Sequence, residues 1–217
     1  MPSRRTNPMN IAVLGAGKVG GGLANLWAAA GHTVWIGARD PNSEKTRAFA
    51  AAAKPGVQVL AIHEVTSQAD VLLLATPWDQ AERALLAAGD LTGKILMDAT
   101  NPLQAGGKVS IGFNTSAAEE VAQWSGARVV KAFSTTGVAN MLNPVYDDGT
   151  RTDIFICGDD QAAKDVVSGL IRDIGMNPVD CGPLYMARNL EPMAALWVYL
   201  ASSAGYGPNF MFKLIRR

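Results

Sequence analysis

Residues 15–20, Gly15-Ala16-Gly17-Lys18-Val19-Gly20, have the types and the spacing to hold a pyrophosphate. Gly15 permits a tight turn out of a strand, Gly17 lets the backbone approach the phosphates, and Gly20 lets a helix pack closely on that strand. The start of the helix offers free N–H groups and a partial positive charge. Such a pattern alone is weak. Here the apolar run Ile11–Leu14 precedes it and a helix-like run from Leu23 to Ala30 follows it, the order that a dinucleotide-binding unit requires.

A second position reads which dinucleotide is held. The next strand ends Ile36-Gly37-Ala38-Arg39. An acidic side chain at the place of Ala38 would bind both ribose hydroxyls of NAD. Alanine removes that carboxylate and its repulsion against a 2′-phosphate, and Arg39 can form a charge-assisted bond to the phosphate. The pair predicts NADP(H). Asp40 is expected to cap the following helix instead.

Ligands of such sheets bind outside the carboxyl ends of the strands. Those ends read Ala75-Thr76-Pro77-Trp78, Asp98-Ala99-Thr100-Asn101-Pro102 and Ala132-Phe133-Ser134-Thr135-Thr136-Gly137. Thr76, Asn101, Ser134 and Thr135 are suited to hydrogen-bonding a nicotinamide ribose or carboxamide, and Pro77 and Trp78 to walling the site. No Ser/His/Asp nucleophile set is evident, and no lysine or histidine stands out as a proton donor near these ends, so no residue is assigned a catalytic role. Carbonyl reduction usually needs a general acid. Hydride exchange with a flavin-like ring needs chiefly two rings at reacting distance, which fits this cleft better.

The elements that must position these groups follow from the apolar pattern. Strands are expected at Ile11–Leu14, Thr33–Gly37, Val57–Ile62, Val71–Ala75, Lys94–Ala99, Arg128–Phe133, Asp153–Gly158 and Asn177–Gly182. Helical segments fall between them, with Ser116 a cap to Glu119, a glycine-rich loop from Leu103 to Asn114, and a loop from Ala139 to Gly149. A long apolar helix over Leu184–Ala204, interrupted at Pro192, must pack on the sheet, on a partner subunit or over a ligand cleft. Regular alternation of strand and helix predicts an α/β fold, a doubly wound Rossmann-type, mainly parallel sheet with a small C-terminal helical extension. Residues 1–9 read as a polar tail, 10–182 as the dinucleotide-binding domain and 183–217 as the C-terminal segment.

Bulk properties narrow the classes. The 217 residues suffice for one large domain, and 48% are apolar. Lys plus Arg and Asp plus Glu number 19 each, so there is no electrostatic case for nucleic acid or an anionic membrane. No apolar run approaches the ~20 residues of a transmembrane helix, and Met1–Pro8 lacks the apolar core of a signal peptide. Cys157 and Cys181 fall in strand patterns and read as two buried thiols of a reducing cytosol. His32 reads as structural, His63 is uninformative, and no cluster has metal-ligand spacing.

Taken together, Ile11–Gly20, Ala30–Arg39, Asp98–Pro102, Val129–Phe133, Asp180–Leu184 and Ala187–Met193 carry a wider resemblance. The chain resembles the NADP oxidoreductase, coenzyme F420-dependent family, along nearly its whole length. The resemblance implies NADPH binding, a cleft closed by the C-terminal segment, a homodimer, and hydride exchange with a small-molecule acceptor, the deazaflavin coenzyme F420 or a flavin. It implies Lys45 as a helper of Arg39 at the 2′-phosphate. Family members often carry Ser-Arg where Ala38-Arg39 stands, and the deazaflavin reductases tend to carry histidine where Ser134 aligns. Two other readings stand beside it: a flavin or ferric reductase like the cytosolic domains of membrane metalloreductases, and a non-catalytic NADPH-binding sensor.

Overall fold

The apolar run at Ile11–Leu14 becomes the middle of a sheet. In the computed structural model of the chain, which describes residues 6–104 and 108–217, β1 (Asn10–Leu14) pairs in parallel with β2 (Thr33–Ala38) on one side and β4 (Val71–Leu74) on the other. With β3 (Val57–Ala61), β5 (Ile95–Asp98) and β6 (Arg128–Lys131) it builds a six-stranded sheet in the order β3-β2-β1-β4-β5-β6. All its pairings are parallel. Successive strands are added in one direction from β1 and in the other from β4, which makes the carboxyl ends of these two strands the switch point where such sheets bind ligands.

Both faces are covered, which explains the unbroken apolar strands. Ile11 and Val13 face α1 (Lys18–Ala30) and α7 (Gln161–Asp173), in a core with Leu23, Trp27 and Leu170. Ala12 and Leu14 face α3 (Ile62–Gln68), α4 (Ala81–Ala88) and α5 (Ala117–Ser125), in a core with Val65, Leu85 and Val121. Each leucine buried in this way contributes about 1.5–3 kcal/mol. The indole Nε1 of Trp27 donates to the carbonyl of Leu170 at 3.0 Å, tying α1 to α7.

The remaining strands, β7 (Asp153–Ile156) and β8 (Asn177–Asp180), form a separate parallel pair rather than extending the parallel sheet. An antiparallel bridge between Lys131 and Cys157 joins this pair to β6. Its two bonds run from Lys131 N–H to Cys157 O at 2.9 Å and from Cys157 N–H to Lys131 O at 3.3 Å.

Several local expectations need correction. α2 (Glu44–Ala52) is capped by Ser43, whose hydroxyl accepts the N–H of Thr46 at 3.3 Å, while Asp40 closes a tight turn by accepting the N–H of Asn42. Ile62 starts α3 and does not extend β3. A single turn of 3-10 helix, Trp78–Gln80, precedes α4. Where a loop was expected, α6 (Val138–Leu142) forms: Gly137 takes an extended cap conformation, and Asn140 and Met141 are buried. α8 (Ala187–Ser202) runs through Pro192 without interruption. The ring removes the one N–H that would bond the carbonyl of Arg188, and the burial of Leu190, Glu191 and Ala194 around it offsets that loss.

Candidate functional site

The glycine turn leaves the carboxyl end of β1 under tight steric control. Gly15 has φ +121°, and a Cβ there would stand 2.6 Å from the carbonyl oxygen of Ala75. A Cβ on Gly20 would stand 2.1 Å from the carbonyl oxygen of Gly15, so α1 rests directly on the turn. Gly17 is the opposite case: a Cβ there would meet no atom within 4 Å. It is the N-cap of α1 and supplies no side chain, so no side-chain cap occupies the N–H groups at the start of the helix. Lys18 and Val19 form its first turn, Lys18 exposed, and Ala16 is half-buried against the core. Space and donors are left open in the one place where a phosphate would sit.

Three neighbouring strands bring polar groups to the same edge. Among the described residues, the buried side-chain polar atoms without a hydrogen-bond partner are Thr76 Oγ1, Asn101 Oδ1 and Ser134 Oγ. They follow β4, β5 and β6 respectively. A buried, unpaired polar atom costs about 1–3 kcal/mol, and three at adjacent strand ends are what a polar ligand would satisfy. Asn101 is fixed by its other arm, Nδ2, which donates to the carbonyl of Ser134 at 3.0 Å. Phe133, just before Ser134, has φ +59°, a left-handed conformation rare outside glycine. Its ring packs edge-on against Trp27, with centroids 5.9 Å apart, which holds the strained turn in place. Thr135 is buried beside them. Pro77 is exposed, and Trp78 stacks on Trp124 of α5 at 5.2 Å.

Beneath these ends lies a charged cluster that sequence reading passed over. Lys131 is 0% exposed, as is Asp98, and Glu191 is 1% exposed. Lys131 Nζ stands 2.9 Å from Asp98 Oδ2 and 2.8 Å from Glu191 Oε1. It also donates to the carbonyl of Thr100. Burial pulls the Lys131 ammonium down, and the Asp98 and Glu191 carboxylates more than reverse this, so its pKa lies above the ordinary lysine value. A lysine does therefore stand close to the strand ends, but it is sealed and fully engaged. The cue in the sequence was a lysine directly after the apolar pair Val129-Val130 of the strand.

At the far side of the turn, Ala38 ends β2 and is buried, and Arg39 follows, exposed. Arg39 Nη1 donates to Gln80 Oε1 at 3.2 Å. Because β2 and β4 flank β1, this bond bridges the end of β1 from which the glycine turn departs. Lys45 lies in the first turn of α2, and its side chain is outside the described residues.

Comparison with known proteins finds relatives along most of the chain. A family model described as NADP oxidoreductase, coenzyme F420-dependent, matches residues 10–102. An F420-dependent NADP reductase of Methanothermobacter marburgensis is 33% identical over 210 residues, covering 88% of this chain and 92% of that protein. The chain belongs to the coenzyme F420-dependent NADP oxidoreductase family. A solved structure from Arthrobacter sp. FB24, described as a candidate F420-dependent NADP-reductase, shares 32% identity and a TM-score of 0.87, over 96% of this chain and 100% of that one. Metalloreductase STEAP3 of Rattus norvegicus is 32% identical over 182 residues, 83% of this chain, but this chain spans only 35% of that protein.

The family model ends at residue 102. It takes in the glycine turn, the Ala38-Arg39 corner, Thr76, Pro77 and Asn101. Ser134 and Thr135 lie beyond it, and the fold alone carries them to the same edge. No helix among the described residues is long and apolar enough to cross a membrane.

Proposed function

We propose that this protein transfers a hydride between NADP(H) and the deazaflavin coenzyme F420. The observation that carries the reading is the set of unpartnered polar atoms on Thr76, Asn101 and Ser134, at the same edge of the sheet as the open helix start at Gly17. Bound there, NADPH would supply a hydride from its nicotinamide ring. The chain's own residues would do the holding. The N–H groups at Gly17–Gly20 would take the pyrophosphate, with Ala16, Lys18 and Val19 shaping the turn and Gly15 setting its direction. Arg39 would take the 2′-phosphate, with Ala38 leaving room for it and Lys45 adding charge. Thr76, Asn101, Ser134 and Thr135 would fix the nicotinamide ribose and carboxamide, and Pro77 would border the ring. Holding one ring rigidly at reacting distance from another is the larger part of the catalysis.

The similarity to a metalloreductase supports a second reading, in which the acceptor is a flavin. Anaerobic assays with NADPH and either coenzyme F420 or FMN, followed by absorbance, separate the two. Reduction of F420 alone supports the first reading. Reduction of FMN alone replaces it with the second. Tight NADPH binding with neither reaction makes the protein a sensor.

Two further features belong to the same reading. Tyr185, Leu196, Tyr199 and Tyr206 leave an exposed apolar stripe on and around α8, which supports a homodimer formed through this face. Sedimentation of the protein beside Leu196→Glu tests it: a dimer that the substitution dissociates is expected, and a wild-type monomer overturns it. The free thiols of Cys157 and Cys181 support a place in a reducing cytosol.

A further inference from the structure

The buried cluster of Asp98, Lys131 and Glu191 joins three elements, the ends of β5 and β6 and the second turn of α8. As a source of stability it is a poor device. Desolvating three charges costs several kcal/mol each, and well-packed apolar residues would commonly do as well. What the cluster can do, and an apolar set cannot, is hold a backbone by its polar atoms.

Thr100 is held in this way from both sides. Asp98 Oδ1 accepts its N–H at 2.9 Å and its hydroxyl at 2.7 Å. Lys131 Nζ takes its carbonyl. Asn101 follows by one peptide, and it bonds the carbonyl of Ser134, which leaves β6 just beyond Lys131. The unpartnered atoms Asn101 Oδ1 and Ser134 Oγ thus hang on a short frame clamped at both ends by one ammonium group. Glu191 completes the clamp and ties it to two more elements. Its Oε2 accepts the N–H of Ala117 at 2.9 Å and its Oε1 that of Ala118 at 3.1 Å, at the start of α5.

We propose that Asp98, Lys131 and Glu191, acting through Thr100, are positioning residues that set Asn101 and Ser134 for the nicotinamide half of the cofactor. The inference rests on the reading of the cleft as an NADPH site. It makes the docking of α8 a condition for an ordered nicotinamide pocket, although α8 need not touch the cofactor.

Isothermal titration with two ligands tests it. NADPH fills the whole site, and adenosine 2′,5′-bisphosphate fills only the end that lacks the nicotinamide. In Thr100→Val every charge of the cluster stays paired and only the hydroxyl bond is lost. NADPH should then bind roughly threefold to tenfold more weakly, the range of one hydrogen bond, while the bisphosphate keeps its affinity within about twofold. Thr100→Ser should restore NADPH binding. Glu191→Gln, which keeps the shape and removes a charge, should shift the same ligand in the same direction; should that variant not fold, Thr100→Val carries the test alone. The inference is overturned if the melting temperature of Thr100→Val falls while its NADPH affinity holds, or if both ligands weaken alike. Wild-type protein that binds the bisphosphate but gains nothing from the nicotinamide half also overturns it. Failure of the wild type to bind NADPH at all removes the functional reading itself.

Discussion

Asn101 Nδ2 donates to the carbonyl of Ser134 at 3.0 Å, and this single bond stitches the turn after β5 to the turn after β6 while leaving Asn101 Oδ1 free. Under the proposed function the two arms of the amide have separate duties, one toward the protein and one toward the cofactor. Asn101→Asp keeps an acceptor but sets a carboxylate against the Ser134 carbonyl. Asn101→Ala removes both arms. Both variants should lose about tenfold or more in kcat/KM for NADPH, the range of 1–3 kcal/mol for a buried group left unpaired. The aspartate should be the worse because of its added repulsion. Steady-state kinetics beside a melting curve decides it, and an aspartate variant as active as wild type would show that the arm toward Ser134 does not matter.

Gly17 and Gly20 should separate cofactor binding from folding. Gly17 has φ −78° and open space around it, so Gly17→Ala should melt at the wild-type temperature. Under the proposed function its methyl group would occupy space that the pyrophosphate needs, and NADPH affinity should fall roughly tenfold or more. Gly20→Ala would drive a methyl group into the carbonyl of Gly15. It should cost on the order of 1–3 kcal/mol in stability, the usual price of overpacking. Thermal denaturation and NADPH titration on both variants test this. An unstable Gly17→Ala protein would contradict the assignment.

Arg39 should decide between the two nicotinamide cofactors. Arg39→Ala is expected to raise KM for NADPH about tenfold, consistent with 1.5–3 kcal/mol for a charged hydrogen bond, and to leave KM for NADH nearly unchanged. Gln80 holds the guanidinium at 3.2 Å. Gln80→Ala should shift KM for NADPH in the same direction by a smaller factor, since it loosens the arginine without removing it. Equal effects on NADPH and NADH would remove Arg39 from the 2′-phosphate.

Cys157 carries a pH dependence with a definite sign. Burial pushes its thiol from 9.0 up to about 12. The folded protein therefore keeps a proton that the unfolded chain gives up near 9.0, and the stability gained is whole below that pH and declines as pH rises toward about 12. The urea midpoint should fall between pH 8 and pH 10, and fall less in Cys157→Ala, which lacks the titrating group. At pH 8 iodoacetamide should leave Cys157 untouched in the folded protein and modify it in urea. Labelling at equal rates in both states would count against the burial.

Much of this architecture could be read from local signals. The turn at Gly15–Gly20 depends on residues close in sequence, with steric reasons for glycine at 15 and 20, and the apolar runs Ile11–Leu14 and Val71–Leu74 mark β1 and β4 as buried strands. Ser116 was legible as a cap because its partner Glu119 is three residues away. The misses share the opposite property. Lys131 looks like an ordinary strand residue until Asp98 and Glu191, distant in sequence, are brought against it. Asp40 and Ser43 are both good caps by type, and only the actual path of the chain chooses Ser43. α6 is five residues long, too short to show a helical period, and exists because Asn140 and Met141 are buried there.

Lys131 also fixes an order of events for a chain made from its N-terminus. Its backbone awaits Cys157 and its side chain awaits Glu191. During synthesis, β5 and β6 emerge first, and until α8 follows, the ammonium group has only Asp98 as a charged partner. A nascent chain halted before Glu191 would hold the Lys131–Asp98 pair without its third member, and the first N–H groups of α5 would lack the carboxylate that accepts them. The six-stranded sheet therefore draws part of its anchoring from beyond its own strands. Its last strand is joined by a helix made well after it, so a product cut short between β6 and α8 should be less stable and more readily cleaved by proteases than the whole chain.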